Sequence, residues 1–506
     1  MLTWDLNNQR NCLKYITLMG VSSLLSSPSL FANKPLRETQ GKPNILFIFA
    51  DDQSYETVNA HGYPEVFTPH LDTLAESGVS FYNAYNMGGW NGAICIASRT
   101  MMQTGRFIWR AHQVDRNMKE LAANDQTWPQ LMESAGYETY FSGKWHVEIP
   151  PEDIFNYTVN QRPGMPNQTP EGYQRPIEGQ PDKWSPYEQS FEGFWKGGKH
   201  WSEVLVDDAG TLLEKAADSE HPFFMFLCFN APHDPRQAPK RFVDMYPQEK
   251  IQVPVNYLPS YPYKHKIGLY GRKRDDGTWA MQRDENLAPH PRTEFSVRVN
   301  RQEYFAIISH MDEQIGHIIA KLKEIGEYDN TYIFYTSDHG LSVGHHGLIG
   351  KQNMYEHSLK VPFIVAGPTI PQNESRKGFV HVQDVMATSL ELAGIEKPDY
   401  VEFNSVIPLI EEEARESHLK DTLYFAFEME LQRAIRVGDY KLIVYPPAKR
   451  IRLFNIKKDP EEIDDLANNP AEWPTIRKMF AKLLKLQSEM EDPLDLKAIF
   501  PKLAAK

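Results

Sequence analysis

Cysteine is scarce. The 506-residue chain has three: Cys12, Cys95 and Cys228. That is too few for a disulfide framework or a four-cysteine zinc site. Positive charge is also short. Lys and Arg number 54 against 67 Asp and Glu, a formal net charge of -13. Such a balance excludes a general nucleic-acid coat, whose surface is basic. It leaves room for an anionic ligand, because a local basic pocket can sit on an acidic body. Past residue 32 no apolar run reaches the roughly 20 residues of a membrane-spanning helix. Internal repeats and low-complexity tracts are lacking too. What the chain has is core-forming material: 41% hydrophobic, 12% aromatic and 24% charged residues. This composition belongs to a large folded protein and not to a disordered one. The length allows one large domain or two to three ordinary ones.

The first stretch stands apart. Arg10 and Lys14 precede an apolar, serine-rich run from Tyr15 to Ala32 that contains Pro28. A basic start, an apolar middle and a small residue at the end read as a secretory signal peptide over residues 1–32. The alternative is a disordered amphipathic tail. Cleavage would remove Cys12 and give a periplasmic or secreted protein without an integral membrane span.

Several later runs are apolar without alternation: Ile45–Ala50, Glu138–Phe141, Phe223–Phe229, Tyr332–Thr336 and Pro362–Ala366. Strands buried on both faces have this pattern. Helical periodicity separates them at Thr127–Ala135, Ser202–Ala217, Arg301–Ile325 and Val382–Ala393. The alternation predicts an α/β fold with a large mixed, mostly parallel sheet sandwiched by helices. Two long segments, Pro150–His200 and Val253–Thr293, interrupt it, and loops of that length are usually functional. From about residue 411 short strands at Thr422–Phe427, Arg433–Val437 and Lys441–Tyr445 precede a helix at Trp473–Glu491. They predict a smaller C-terminal α+β subdomain, an antiparallel sheet plus a helix. The expected division is 1–32 signal peptide, 33–410 catalytic domain and 411–506 subdomain.

Polar residues fall at the strand ends. Ile45–Ala50 runs into Asp51-Asp52, and Tyr332–Thr336 into Ser337, Asp338 and His339. Glu138–Phe141 leads to Lys144 and His146, and Phe223–Phe229 to His233. In open α/β sheets the carboxyl edge of the strands is where ligands bind. An aspartate after a strand is often only a turn or a cap; four such strands together point to a site. Asp51, Asp52 and Asp338 are hard oxygen ligands, and adjacent carboxylates repel unless a cation holds them. They suit Ca²⁺ or Mg²⁺, while His339 and His233 leave zinc open. Arg99, Lys144 and Lys351 would bind a tetrahedral anion.

Cys95-Ile96-Ala97-Ser98-Arg99 is followed by Thr104-Gly105-Arg106, and Gly88-Gly89-Trp90-Asn91-Gly92 leads into it. The stretch can open a helix, which puts the cysteine at a positive N-terminus. A buried structural cysteine is the bland reading. Here the sequence resembles the type I sulfatase family of the alkaline phosphatase superfamily, whose signature is Cys-x-Pro/Ala-Ser-Arg followed by Thr-Gly-Arg. The resemblance continues through Asn44–Asp52, Ser142–His146, Ala231–His233, Ser337–Gly340 with Gly344–Gly347, Lys351 and Tyr355-Glu356, and Leu453–Ala467. It covers about residues 43–467, in order.

The resemblance implies that a formylglycine-generating or anaerobic sulfatase-maturating enzyme oxidises Cys95 to formylglycine (3-oxoalanine). One hydroxyl of its hydrate attacks sulfur, and the second allows sulfate to be released. It implies one Ca²⁺ held by Asp51, Asp52, modified Cys95, Asp338 and His339. Arg99 holds the hydrate, Lys144 and Lys351 bind sulfate oxygens, His146 orients or deprotonates the hydrate, and His233 protonates the leaving oxygen. Ala97 departs from the commoner proline, and His339 stands where many members have asparagine.

The long segments would set specificity. Between Lys264 and Arg292 there are seven Lys and Arg against four Asp and Glu, interleaved with Tyr261, Tyr263, Tyr270 and Trp279. His345 and His346, inside the Gly344–Gly347 frame, either line the pocket or serve that frame structurally, while Trp184, Tyr187, Trp195 and Trp201 mark the other long segment. These residues either grip a sulfated carbohydrate, an algal or matrix polysaccharide such as ulvan or carrageenan, or form a solvated surface. Rival readings are a formylglycine-dependent phosphonate or phosphate ester hydrolase, a choline-sulfatase-like enzyme, and a catalytically silent glycan-binding pseudo-enzyme.

Overall fold

Apolar side chains on both faces of a strand demand cover on both faces, and the structure supplies it. It is a computed structural model that describes residues 41–162, 169–194, 198–267, 270–273, 279–411 and 421–504, the side chains of 270–273 and 279–281 excepted. The stretch expected as a signal peptide lies outside the described residues. The strands, numbered in chain order, are β1 (Asn44–Asp51), β2 (Gly78–Tyr85), β3 (Gly88–Gly89), β4 (Glu138–Lys144), β5 (Tyr157–Arg162), β6 (Phe223–Pro232), β7 (Tyr270–Lys273), β8 (Trp279–Met281), β9 (Thr331–Ser337), β10 (Phe363–Ala366), β11 (Glu374–His381), β12 (Thr422–Phe427), β13 (Gln432–Val437), β14 (Tyr440–Tyr445) and β15 (Arg450–Asn455).

Eight strands form one sheet in the order β11-β2-β10-β9-β1-β6-β4-β5. All neighbours are parallel except at β10, which runs against both β9 and β2. Period-two alternation divides each central strand between two cores. Leu46, Ile48, Met225 and Leu227 pack under Leu212 of helix Trp201–Ala217 and Ile308 of helix Glu294–Glu324. Ile45, Phe47, Phe224 and Phe226 pack on the other face, under Trp128 of helix Trp128–Ser134 and Leu390 of helix Asp384–Leu392. Each such side chain, fully buried, stabilises the fold by roughly 1.5–3 kcal/mol.

A second sheet has the order β15-β14-β13-β12-β3. Helix Trp473–Glu489 covers one face, where Ile476, Phe480 and Leu483 meet Ile435 and Leu442. The other face places Phe425 and Phe427 against Tyr85 and Leu359. Strand β3 comes from the loop before Cys95 and runs parallel to β12. Its Gly88 has φ of +92°, and a Cβ there would run into the Ala426 carbonyl, so only glycine lets the two backbones meet.

The expected α/β sandwich with a C-terminal antiparallel sheet is therefore present. Boundaries shift in two informative places. β4 continues through Lys144, so that lysine sits on the strand and not beyond it. The helix expected to begin at Arg301 begins at Glu294, capped by Thr293, whose hydroxyl accepts the Ser296 N–H at 3.1 Å. Its polar first turns hide the apolar period.

Candidate active site

Strands β1 and β9 are neighbours in register, with Ala50 opposite Ser337. Their next residues therefore emerge side by side. Asp51 closes β1, and Asp52 follows with φ of +71°. The Asp52 N–H donates to Asp338 Oδ1 at 3.0 Å, which fixes the two strand ends to each other. Tyr304 of the long helix donates its hydroxyl to the Asp52 carbonyl at 2.7 Å. Cys95 lies in the first turn of helix Ile94–Thr104, and its thiol donates to Asp51 Oδ1 at 3.2 Å. One ligand atom each from Asp51, Asp52, Cys95 and Asp338 lies within 4.8 Å of the others, and all four residues are buried.

Three cations balance the three carboxylates. Lys351 Nζ donates to Asp52 Oδ1 and Oδ2 at 2.6 and 2.7 Å and to Cys95 Sγ at 3.0 Å. Lys144 pairs with Asp51. Arg99 Nε faces Asp338 Oδ2 at 3.3 Å, and Nη1 donates to the Lys144 carbonyl at 2.8 Å. Gly143 makes the approach of Lys144 possible: at φ of +101°, a Cβ would run into the Cys228 carbonyl of β6. Burial raises the Asp52 carboxyl well above its ordinary value, with Asp51 and Asp338 adding to it against Lys351. Burial and the same neighbouring aspartates raise the Cys95 thiol. Asp338 is also buried, yet Arg99, with Lys144 and Lys351, holds it below the usual carboxylate range.

Three histidines surround this cluster. The His233 Nδ1 faces the Asp234 carbonyl at 2.8 Å and Asp234 Oδ1 at 3.3 Å. A carbonyl only accepts, so Nδ1 carries the proton and Nε2 points at Asp52 Oδ2, 3.7 Å away. Asp234, a mere chain neighbour in the sequence, thus does face the ring. His146 follows β4 with φ of +57°, and burial beside Lys144 pushes its imidazole down to about 3. His339 lies outside the group of four. Its Nδ1 donates to the Gly340 carbonyl at 2.9 Å, and its Nε2 is buried with no hydrogen-bond partner. That tautomer presents a bare nitrogen lone pair, as a metal-ligating imidazole does.

The donor set fits a divalent metal. Hard carboxylate oxygens converge in a space where burial, and then Asp51 and Asp338, raise Asp52, and a cation would relieve both. Cys228, within β6, is a free, buried core residue.

The sequence matches the Sulfatase family profile over residues 43–395 and the profile for the C-terminal part of N-sulphoglucosamine sulphohydrolase over residues 344–489. The chain belongs to the sulfatase family. It is a sulfuric ester hydrolase. An N-acetylglucosamine-6-O-sulfatase from Bacteroides thetaiotaomicron is 25% identical, the match covering 89% of this chain and 87% of that one. A choline-sulfatase from Rhizobium meliloti is 28% identical over 85% of this chain and 84% of that one. The fold is shared with a phosphonate monoester hydrolase from Silicibacter pomeroyi at a TM-score of 0.71 and 20% identity, covering 89% of this chain and 96% of that one.

In the long segments of this sulfatase Tyr187 is exposed, but other aromatic residues depart from both expected readings. Tyr261 is buried, and its hydroxyl meets those of Tyr355 and Tyr445, each at 2.9 Å. Trp184 is buried under the Arg175 guanidinium, 4.6 Å from its ring centre. Both are core residues and not sugar platforms. Arg292 is paired inward with Glu285, and Arg283 with Asp234. Trp195 lies outside the described residues, and of Tyr270 and Trp279 only the backbone is described. His346 stacks on Tyr355 at 4.0 Å, and His345 binds Glu56 at 2.7 Å. A cleft of about 690 Å³ is lined by Tyr55, Tyr82, His345, Lys360, Arg436 and Glu461, and by none of the four clustered residues. Sequence reasoning missed Arg283, Asp284, Glu285 and Gln352 beside the site. Nothing local ties them to the site, because the partners that do, Asp234 for Arg283, Gln352 for Asp284, Gly350 for Glu285 and Gly92 for Gln352, lie tens to hundreds of residues away.

Proposed function

We propose that the protein hydrolyses sulfate esters of a sulfated carbohydrate, an algal or matrix polysaccharide or its oligosaccharides, at the buried cluster around Cys95. The observation that carries this reading is the convergence of Cys95 with Asp51, Asp52 and Asp338, flanked by Lys144, Lys351 and Arg99. The relative named as an N-acetylglucosamine-6-O-sulfatase supports a sugar substrate.

In this reading Cys95 is matured to formylglycine by a formylglycine-generating or anaerobic sulfatase-maturating enzyme. Asp51, Asp52, residue 95, Asp338 and His339 would hold one Ca²⁺. Bound there, the ion and the formylglycine hydrate supply a Lewis acid and an oxygen nucleophile. The chain's own groups do the rest. Lys144 and Lys351 turn their ammoniums from the carboxylates toward sulfate oxygens, where charge grows in the transition state. Arg99 fixes residue 95 against Asp338. His146 orients or deprotonates the nucleophile. His233 delivers a proton to the leaving oxygen, its ring oriented by Asp234. Residues 1–32 direct export to the periplasm or the outside, residues 33–410 form the catalytic part and 411–506 the smaller one. Among the described residues no helix is long and apolar enough to cross a membrane.

The test is sulfate release, followed by ion chromatography, from a panel of sulfated oligosaccharides. It uses protein co-expressed with a maturation enzyme and checked by mass for conversion at Cys95. Sulfate from one glycan class supports the reading. No sulfate from any glycan, with sulfate from choline sulfate, would favour the second reading that the 28% identical choline-sulfatase suggests.

A further inference from the structure

The short turn Asp284–Leu287, with Arg283 before it, reaches two arms of the cluster at once. On one side Arg283 grips Asp234 through both guanidinium nitrogens. Nη1 donates to Oδ1 at 2.9 Å and Nη2 pairs with Oδ2. Asp234 in turn faces His233 Nδ1 at 3.3 Å. On the other side Glu285 Oε1 accepts the N–H groups of Gly350 and Ile349 at 2.8 and 3.2 Å, directly before Lys351. Asp284 Oδ2 accepts from Gln352 Nε2 at 2.7 Å, directly after it. The same Gln352 nitrogen donates to the Gly92 carbonyl at 3.1 Å, in the loop that leads to Cys95. The turn is itself anchored. Arg292 donates to the Glu285 carbonyl at 2.9 Å, and the Gln174 N–H reaches the Asn286 carbonyl at 2.7 Å. Asp284 and Glu285 are only 4% and 2% exposed. Buried carboxylates that bind chain segments on both sides of a lysine cost desolvation, and a surface loop has no use for them.

We propose that Arg283, Asp284 and Glu285 are positioning residues of the sulfatase reaction. Arg283 holds the His233 imidazole through Asp234, and Asp284 with Glu285 holds the backbone that carries Lys351. The inference rests on the reading that His233 serves the leaving oxygen and Lys351 the sulfuryl group. It also explains why the segment Val253–Thr293 is long: it must cross from the sheet end to both arms.

The two halves have different kinetic signatures. A misplaced proton donor matters most for a poor leaving group, whereas a misplaced sulfuryl contact slows every ester alike. The experiment measures kcat/KM over a series of aryl sulfates, from nitrophenyl to methylphenyl, for mass-verified mature protein. The variants are Arg283→Met, Arg283→Lys, Glu285→Gln and, as benchmark, His233→Asn, with melting temperatures recorded. For Arg283→Met we expect a loss of roughly tenfold to a hundredfold on the poorest leaving group and little on nitrophenyl sulfate. Arg283→Lys, which keeps charge but not the two-pronged grip, falls between. Glu285→Gln slows the whole series evenly. A steep His233→Asn series beside a flat or unchanged Arg283→Met series would overturn the clamp alone. A flat His233→Asn series would overturn the role of His233 and, with it, the Arg283 half of the proposal. Unchanged rates in Glu285→Gln would overturn the Lys351 half.

Discussion

Groups carried on strand ends and groups carried on the long segments reach the same cluster by different routes. Asp51 and Lys144 end, and Asp52, His233 and Asp338 follow, four neighbouring parallel strands of one sheet, so the order of β9, β1, β6 and β4 brings them together. Arg283, Asp284 and Glu285 arrive on a turn held by ion pairs and backbone carbonyls. The sheet positions chemistry through hydrophobic burial, which is non-directional and redundant. The turn positions it through a few buried charges, each of which is costly to lose.

Changes at the cluster should break activity most. Cys95→Ser should fold with an unchanged melting temperature and lose roughly a thousandfold or more in kcat; normal turnover would remove the cysteine from the chemistry. Asp338→Ala strips Arg99 and the Asp52 N–H of their partner. It should destabilise by about 3–5 kcal/mol and abolish divalent metal binding, read by denaturant titration and by metal analysis of the purified protein. Gly143→Ala should cost about 3 kcal/mol or more, because a Cβ meets the Cys228 carbonyl at a left-handed φ of +101°. A stable, active Gly143→Ala protein would mean that β4 and β6 can part without moving Lys144.

Loosening the anchor of a long segment on the helices behind it should cost less activity. Arg175 grips Glu303 with two bonds of 2.8 and 2.6 Å. Glu303→Gln should lower stability by roughly 1–3 kcal/mol while the rate on a small aryl sulfate stays near that of the wild type. A large rate loss there would erase the distinction between sheet and segment. The last prediction concerns stability against pH and leaves the site untouched. The Asp312 carboxyl is buried beside helix Pro69–Glu76, accepts the Leu71 and His70 N–H groups at 2.7 and 3.1 Å, and is pushed up to about 7 by burial. Its folded pKa lies above the unfolded value of about 3.9. The folded state therefore binds more protons, and this contribution to stability falls as pH rises from about 4 to about 7. Asp312→Asn should flatten the melting temperature across that window relative to the wild type.

Much of the fold was legible in the sequence, for a physical reason. Runs such as Ile45–Ala50 and Phe223–Phe229 are short and have no polar face, as strands covered on both sides require, and β1 and β6 extend them by one to three residues. Strands with polar or small residues were invisible: β2 carries Ser80 and Asn83, β5 lies at an edge, and β3 is two glycines. The cluster was legible because strand-end residues inherit the order of the sheet. Its supports were not. Arg283 finds Asp234 across 49 residues, and no periodicity encodes such a distance. Tyr261 misled for the same reason: a tyrosine in a polar loop looks exposed until its distant partners, Tyr355 and Tyr445, are known.

The decisive measurement compares sulfate and phosphate esters of the same alcohol, using protein with mass-verified formylglycine at residue 95 and a measured metal content. With a sulfatase site at the cluster, sulfate is released faster than phosphate and Cys95→Ser releases neither. Faster phosphate release, or equal sulfate release from Cys95→Ser, would contradict that assignment.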